Sequence, residues 1–567
     1  MRTMSKRGKT LAKVINDADG TNFQKLVSWY SIASSTQSDP NPTLGWVNPT
    51  QFAFSLITAT PVKIPSPMFN DFIARGGDAH TIEIANQAVV NYIAQHPFQV
   101  PPSYEVRLAK RYYVVQGDKI QLFWDGVIKG VEPSANANLT CRCSVGAQYP
   151  RYWEYTPAAD GSDNGKTFQF TLYVRNFDGT IMSQGSTTIE VVPKPSFASA
   201  TKYNMLCFGD SLTSSGTWFG EGLRRIAGTS SSSASPASWN VSNLTFDSYG
   251  KKSGTVQGNP IHHEGYGGWT WGSFLQTSAT GSTVNGIFVT LNTAPGWDID
   301  VYQHSIWVDQ NNKQWKLEDI EGAKIKFDRG PGNTGAQSDT QLPTQLTCSS
   351  LSQTITSSDI AEVKWESGNP FYDDDTQRVN FLAHASKLNH EPADIVSVLL
   401  TWNGGGGELN FDTTSKINTH LNNATTLLRK IHDDLPNAKI IVMGIQISST
   451  TGGAGANYGA SGTYSDSIAT NFYAFDYDKA LENLVTNSEF GTYCYYGDTK
   501  GQFDTPYLMP YNNVAVNSRS SITERRGTNG VHPSTEGYYA IGDAFLRVVC
   551  KVLKDTKDDY EGNNVSS

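Results

Sequence analysis

Ser211 stands in CFGDSLT, residues 207–213, after an apolar run and before WFGEGLRRIAG, which is compatible with a helix. A serine at the carboxyl end of a buried strand can expose its Oγ, and the amides of a following helix can hold developing negative charge. Its hydroxyl becomes a useful nucleophile only when a base takes the proton, and histidine is the usual base near neutral pH. His532, in GVHPSTEGY just ahead of the last helical pattern, is the base this chemistry calls for. Attack on an acyl carbon also needs donors for the oxyanion. Gly268 in EGYGGWTW can bring its backbone amide close because it has no side chain, and Asn403 in LLTWNGG offers a side-chain amide after an apolar run.

Other candidates carry less. Trp269, Trp271 and Trp402 flank these segments and suit sugar stacking or a core equally. His262, His263 and Glu264, and likewise Asp373, Asp374 and Asp375, lack a metal-ligand spacing and read as loop residues, so no metal or cofactor is expected. The run Gly404 to Gly407 lacks the Lys-Ser/Thr of a phosphate loop and reads as a flexible rim. No Gly-X-Ser-X-Gly pattern surrounds Ser211.

The elements that must position these residues read as alternating strands and helices. YNMLCF, ADIVSVLL and AKIIVMGI are buried strands, INTHLNNATTLLRKIHDDL is an amphipathic helix, and GYYAIGDAFLRVVCKVL closes the chain as a helix. This alternation predicts a parallel sheet layered by helices over 195–560. A β-rich insertion of antiparallel texture interrupts it at about 286–362, with GIFVTL, HSIWVD, QWKLEDI and AKIKFD. Upstream, YYVVQGDKIQLFW, LTCRCSV, RYWEY, FQFTLYVR and STTIEVV predict a small immunoglobulin-like β-sandwich over 105–194, and PKPSFASATK reads as a linker. Residues 1–104 mix short helical patterns, Phe23 to Tyr30 and Ile82 to Ile93, with Pro-rich connections, and form a small mixed region suited to docking.

Four ordered blocks make this sequence resemble the GDSL or SGNH hydrolase family: GDSL at 209–212, EGYGGWT at 264–270, TWNG at 401–404 and GVHPSTEGY at 530–538. GNPFY at 368–372, followed by a helical stretch leading into ADIV, is a fifth likeness, to bacterial members. The resemblance covers about 200–556 without the insertion. It implies a flavodoxin-like three-layer α/β/α fold and hydrolysis of acyl esters, often acetyl groups on carbohydrates. Carried onto these positions, Ser211 is the nucleophile and an oxyanion donor through its amide, Gly268 and Asn403 complete the oxyanion hole, and His532 is the base. Two positions depart from the family pattern. Asn529 stands where an aspartate usually precedes the histidine by three, and Gly404 where an aspartate usually follows the block-three asparagine. Asn529 is expected to accept a hydrogen bond from the His532 ring without supplying charge to the imidazolium. Asp504 and Asp543 lie near in sequence, with nothing in it to place them.

At 567 residues the chain has room for two to four domains, and with 38% hydrophobic and 17% charged residues it reads as globular and β-rich. A net charge of −9 argues against a nucleic-acid partner, because such binding rests on cationic neutralisation of phosphates. Six cysteines make no disulfide framework in so long a chain and read as reduced core residues. MRTMSKRGKTLAKVINDADG has no apolar segment of signal-peptide type, and no run approaches the ~20 apolar residues of a membrane span, so no membrane insertion is expected. Glycan chemistry without a leader suggests a phage virion or tail protein, acting outside the cell after lysis; the other setting is cytoplasmic. The expected partners are an acylated glycan, with Trp269 and Trp402 as its binding residues, and other virion proteins, with an oligomer left open. The reading is a serine esterase, an O-deacetylase of polysaccharide. The alternative is a virion attachment protein whose SGNH domain binds glycan with little or no turnover.

Overall fold

A computed structural model of the chain describes residues 104–130, 138–175, 179–228, 236–276, 286–330, 342–365, 369–373, 375–400, 402–403, 413–448 and 467–556. The helical patterns expected at Phe23 to Tyr30 and Ile82 to Ile93 lie outside these residues, as does the Gly404 to Gly407 rim. Contacts divide the chain into two compact units, residues 1–104 with 130–132, and 105–129 with 133–567. Every candidate residue belongs to the second.

The central sheet of that unit is parallel. Thr201–Gly209 is buried along most of its length, as a strand covered on both faces must be. On one side it pairs first with Leu244–Tyr249 and then, at Phe208 and Gly209, with the end of Asn259–Gly265. On the other it pairs with Ile395–Leu399, which is followed by Lys439–Met443 and Cys494–Gly497, all parallel. Counting the two segments that share one side as the second strand, the order is 2-1-3-4-5. Lys252–Val256 extends the edge as an antiparallel hairpin with Asn259–Gly265. Helix Thr217–Ala227 packs on the closing helix Thr535–Thr556, and Thr414–Asp434 packs on Ser467–Val485.

Between the 3₁₀ turn Ser273–Leu275 and helix Phe381–Lys387 the chain builds a separate antiparallel sheet of seven strands. Its outermost members in sequence, Gly286–Leu291 and Ile360–Trp365, pair with each other. Ile287, Val289, Trp307, Trp315, Leu317, Ile325 and Phe327 form its core.

Ahead of the central sheet stand a four-stranded and a three-stranded sheet, besides a short pairing of Tyr104–Val106 with Ile128–Gly130. One orders Arg111–Val115, Ile181–Val192, Thr167–Arg175 and Asn138–Arg142; the other orders Ile120–Phe123, Tyr152–Tyr155 and Ala147–Gln148. In Thr167–Arg175, Phe170, Leu172 and Val174 are buried at every second position, the period of a half-covered strand. Trp153 of the second sheet lies 5.0 Å from Phe170 of the first, ring to ring. The segment read as a linker is packed instead: Pro193, Pro195 and Phe197 are buried, and Phe197 O accepts from Asn243 Nδ2 at 2.9 Å. All six cysteines are free; Cys141 and Cys143 are only half-buried, and the other four are core residues as expected.

Buried charge ties these small sheets to the central one. Asp118 accepts from Arg225 (2.8 Å) and Arg547 (3.0 Å), one on each of the two packed helices. Deeper, Lys500 Nζ donates to Asp498 at 2.6 Å and lies 3.4 Å from Asp478, while Tyr112 of the first small sheet donates to Asp498 at 2.6 Å. All four side chains are inaccessible or nearly so. Removing one partner of a buried ion pair strands the other without water. Lys500→Met is therefore expected to cost about 3–5 kcal/mol, read as a lower midpoint of chemical unfolding.

Candidate active site

The tight spacing of three strands builds the site. A Cβ on Gly209 would fall 2.4 Å from Leu399 O and 2.3 Å from Thr213 Oγ1, so only glycine lets the first strand run this close to its neighbour and turn. The turn itself is held by Asp210, whose carboxylate accepts from Leu212 N at 2.9 Å and whose carbonyl accepts from Thr213 N at 3.0 Å. Ser211 is left half-buried at the carboxyl end of the strand. Because Gly209 is in register with both Gly265 and Leu399, the residues after all three strands emerge side by side.

After Gly265, Tyr266 N donates to Gly209 O at 2.9 Å, and Trp269 N to Tyr266 O at 3.2 Å. Between them Gly267 and Gly268 are exposed. Gly268 has φ 82°, a left-handed conformation that favours glycine, and a Cβ on Gly267 would lie 3.9 Å from Ser211 Cβ. Asn403, after the third strand, donates from Nδ2 to Trp269 O at 2.9 Å, which brings it to the same loop. The amide nitrogen carries a second hydrogen for another acceptor.

His532 comes from the loop before the closing helix. Its Nε2 lies 2.8 Å from Ser211 Oγ, the separation of a hydrogen-bonded nucleophile and base. Burial lowers the pKa of the ring, which keeps the imidazole neutral, and so able to take a proton, to lower pH than a solvated histidine. The loop is anchored by Gln446, fully buried after strand Lys439–Met443, which donates to Val531 O at 2.6 Å.

Asn529 differs from the expectation. Its Oδ1 accepts from the Val531 and His532 amides at 3.0 and 2.9 Å, which fixes the side-chain amide so that Nδ2, a donor, faces His532 Nδ1 at 3.5 Å. The oxygen expected to accept from the ring is already committed. At 3.5 Å the contact is weak, and an amide NH₂ has no lone pair to accept from Nδ1–H, so Asn529 does not hold the ring in the tautomer whose bare Nε2 deprotonates Ser211. A carboxylate there would keep the backbone bonds and accept from Nδ1–H as well. Asp504 and Asp543 are committed elsewhere, in ion pairs with Arg151 and Arg225.

The tryptophans correct a second expectation. Trp269 is 9% and Trp402 6% exposed. Trp269 is stacked on Tyr266 (4.5 Å) and packed on Phe274 (4.7 Å), so its faces meet protein rather than sugar. Trp271 is a core residue bonded through Nε1 to Tyr477 OH at 2.7 Å, and that hydroxyl donates to Leu400 O at 3.0 Å.

Glu264, expected in a loop, is a buried support instead. It accepts from Tyr266 OH and Lys251 N, each at 2.6 Å, and lies 3.1 Å from His384 Nε2. Burial alone would raise its pKa, but these partners outweigh burial and hold it below the usual value. Pinning Tyr266 pins the loop that carries Gly267 and Gly268. His263 Nδ1 accepts from Gly265 N at 3.1 Å, and burial, then Lys252, pushes its pKa down to about 4. Asp373 pairs with Lys387 at 2.9 Å. Among the described residues no group of three or more His, Cys, Asp or Glu is placed to hold a metal ion.

No protein-family model matches the sequence, and no curated protein matches it. Solved structures do. A peptidoglycan O-acetylesterase aligns at 13% identity and TM-score 0.26 over 63% of this chain and 93% of its own. A carbohydrate esterase family 3 protein from Talaromyces cellulolyticus aligns at 13% identity and TM-score 0.26 over 63% of this chain and all of its own. A possible lipase from Chitinophaga pinensis aligns at 12% and 0.26, again over 63% and all of its length. Among the described residues no helix is long and apolar enough to cross a membrane.

The geometry makes a direct prediction about His532. Its imidazole is expected to titrate below the ordinary value of about 6.5, followed by NMR of the ring; a midpoint at or above that value would contradict the burial argument.

Proposed function

We propose that this chain is a serine esterase that removes acyl groups, acetyl above all, from a polysaccharide through an acyl-enzyme on Ser211. The observation that carries the reading is the 2.8 Å approach of His532 Nε2 to Ser211 Oγ at the carboxyl end of a parallel sheet, beside the exposed Gly267–Gly268 turn. Polysaccharide as the acyl carrier rests on the family resemblance and on the β-rich modules around the catalytic sheet. In the same reading, 195–560 is a flavodoxin-like three-layer α/β/α domain with an inserted sheet, 105–194 is an immunoglobulin-like sandwich and 1–104 a docking region.

In this mechanism the Oγ proton passes to His532 Nε2 as Oγ bonds to the ester carbonyl carbon. The resulting oxyanion is met by the Ser211 and Gly268 amides and by Asn403 Nδ2. The imidazolium then returns the proton to the sugar oxygen as its bond to carbon breaks, and the glycan leaves as an alcohol. Water attacks the acyl-enzyme with His532 again as base, releasing the carboxylic acid and restoring Ser211. Asn529 holds the His532 loop by its backbone bonds but gives the imidazolium no countercharge.

That last feature favours one second reading, a virion attachment protein that holds glycan with little turnover. Ser211→Ala separates the two. Under the esterase reading wild type releases acetate or nitrophenol from simple esters and is labelled by a fluorophosphonate, and the variant loses both; wild type no faster than the variant, on simple esters and acetylated polysaccharides alike, supports the attachment role. Asn529→Asp is expected to raise kcat by at least about tenfold, as a fraction of the roughly 10⁴-fold that the reverse change costs a serine protease. It is also expected to move the acid limb of kcat/KM upward, because a carboxylate stabilises the imidazolium. Unchanged kcat in Asn529→Asp would show that the residue does not limit the base.

A further inference from the structure

The segment that carries His532 also carries an arm that the catalytic reading leaves unused. Tyr511–Ala515 and Thr523–Gly527 form an antiparallel hairpin in which almost every residue is exposed, with Val516 and Ile522 bare near its tip. Its base is clamped to the site. Thr528 N donates to Pro510 O and Ser534 N to Leu508 O, both at 2.9 Å, and His532 lies between those two bonds in the chain. The hairpin therefore rises from the same clamped segment that carries His532.

Its chemistry runs against that of the whole protein. From Tyr511 to Gly527 there are three arginines, Arg519, Arg525 and Arg526, and one acid, Glu524, in a chain of net charge −9. Arg526 pairs with Glu524 at 3.2 Å; among the described residues neither Arg519 nor Arg525 forms an ion pair. Arg525 lies instead between the rings of Tyr507 and Tyr511, at 4.3 and 4.2 Å, and Arg151, itself paired with Asp504, covers Tyr507 at 4.2 Å. Tyr507 and Tyr511 are 48% and 37% exposed. Stacking holds a guanidinium flat without using its N–H groups, which remain in the fork that matches a carboxylate.

We propose that this hairpin is the docking arm for an anionic polysaccharide, its arginines taking sugar carboxylates with the Arg525 guanidinium held flat by Tyr507 and Tyr511. This deepens the esterase reading and rests on it for the acyl group, but the binding step stands without turnover. A polyphosphate is the other polyanion a guanidinium fork can take, and single-stranded DNA in the test separates it from a polycarboxylate.

Affinity electrophoresis of the full chain tests the proposal with three probes: polygalacturonate, neutral hydroxyethylcellulose and single-stranded DNA. Polygalacturonate is expected to retard the protein most, less so as salt rises. The R519A/R525A/R526A variant should bind it roughly 3- to 100-fold more weakly, the range that three exposed charge contacts supply. R142A, which removes an exposed arginine from the first small sheet, should bind as wild type does. Arg525→Lys, which keeps the charge and loses the flat stack, should fall between wild type and the triple variant, and the singles R519A and R526A give the same reading should the triple not fold. Equal retardation by the neutral polymer or by DNA, or a triple variant indistinguishable from wild type, overturns the proposal. Polygalacturonate carries no acyl ester, so this result is independent of the simple-ester assay on Ser211→Ala. On O-acetylated polygalacturonate the triple variant should raise KM with kcat held; a fall in kcat at unchanged KM would assign the arm to something other than docking.

Discussion

The structure turns on how closely Thr201–Gly209 lies against Ile395–Leu399. With no side chain possible at Gly209, the backbone of the first strand reaches Leu399 O and turns at once, so that Asp210 and Ser211 emerge level with the ends of two other strands. Parallel pairing makes all these ends carboxyl ends, and that polarity places Ser211, a glycine turn and an asparagine amide on one rim although they are far apart in sequence. Gln446 adds the fourth strand to the same rim by holding the His532 loop. A larger residue at 209 would separate those strands and dissolve the site before any reacting atom was touched.

Around that rim, polar groups are arranged to hold backbone rather than to react. Asp210 closes the serine turn, Glu264 pins Tyr266 and with it the glycine loop, and Asn529 closes the histidine loop through two backbone amides. In the first two a carboxylate is used, and that of Glu264 also accepts from Lys251 N and lies against His384. In the third an amide is used, and its remaining atom is a donor turned toward the base. Burial already disfavours a charged His532 ring, and the amide nitrogen turned toward it adds no charge to offset that.

Much of this was legible in the sequence. The strands at YNMLCF, ADIVSVLL and AKIIVMGI, the long helix between the last two and the closing helix follow from hydrophobic period, and Ser211 and His532 from their places at element boundaries. Leu244–Tyr249 escaped because threonine, aspartate and serine interrupt its apolar residues, and Ser467–Val485 because Phe472, Tyr473, Ala474, Phe475 and Tyr477 are buried almost in succession and leave no one-sided stripe. Cys494–Gly497 is too short to show a period. Trp269 and Trp402 were ambiguous for a general reason: an aromatic beside a site has the same sequence signature whether it faces ligand or core.

The sequence by itself determined which residues could react, since nucleophile, base and oxyanion donors are matters of side-chain and backbone chemistry, and it determined the parallel sheet, since alternation of buried strands with helices admits few other arrangements. Only the tertiary structure decided which atoms face one another. That Nε2 meets Oγ, that Asn529 spends its oxygen on backbone amides, that Glu264 is buried under the glycine loop and that an arginine arm rises from the histidine segment are all long-range or orientational facts. Each depends on distances of a few tenths of an ångström between groups brought together by folding, and residue types alone carry no information on that scale.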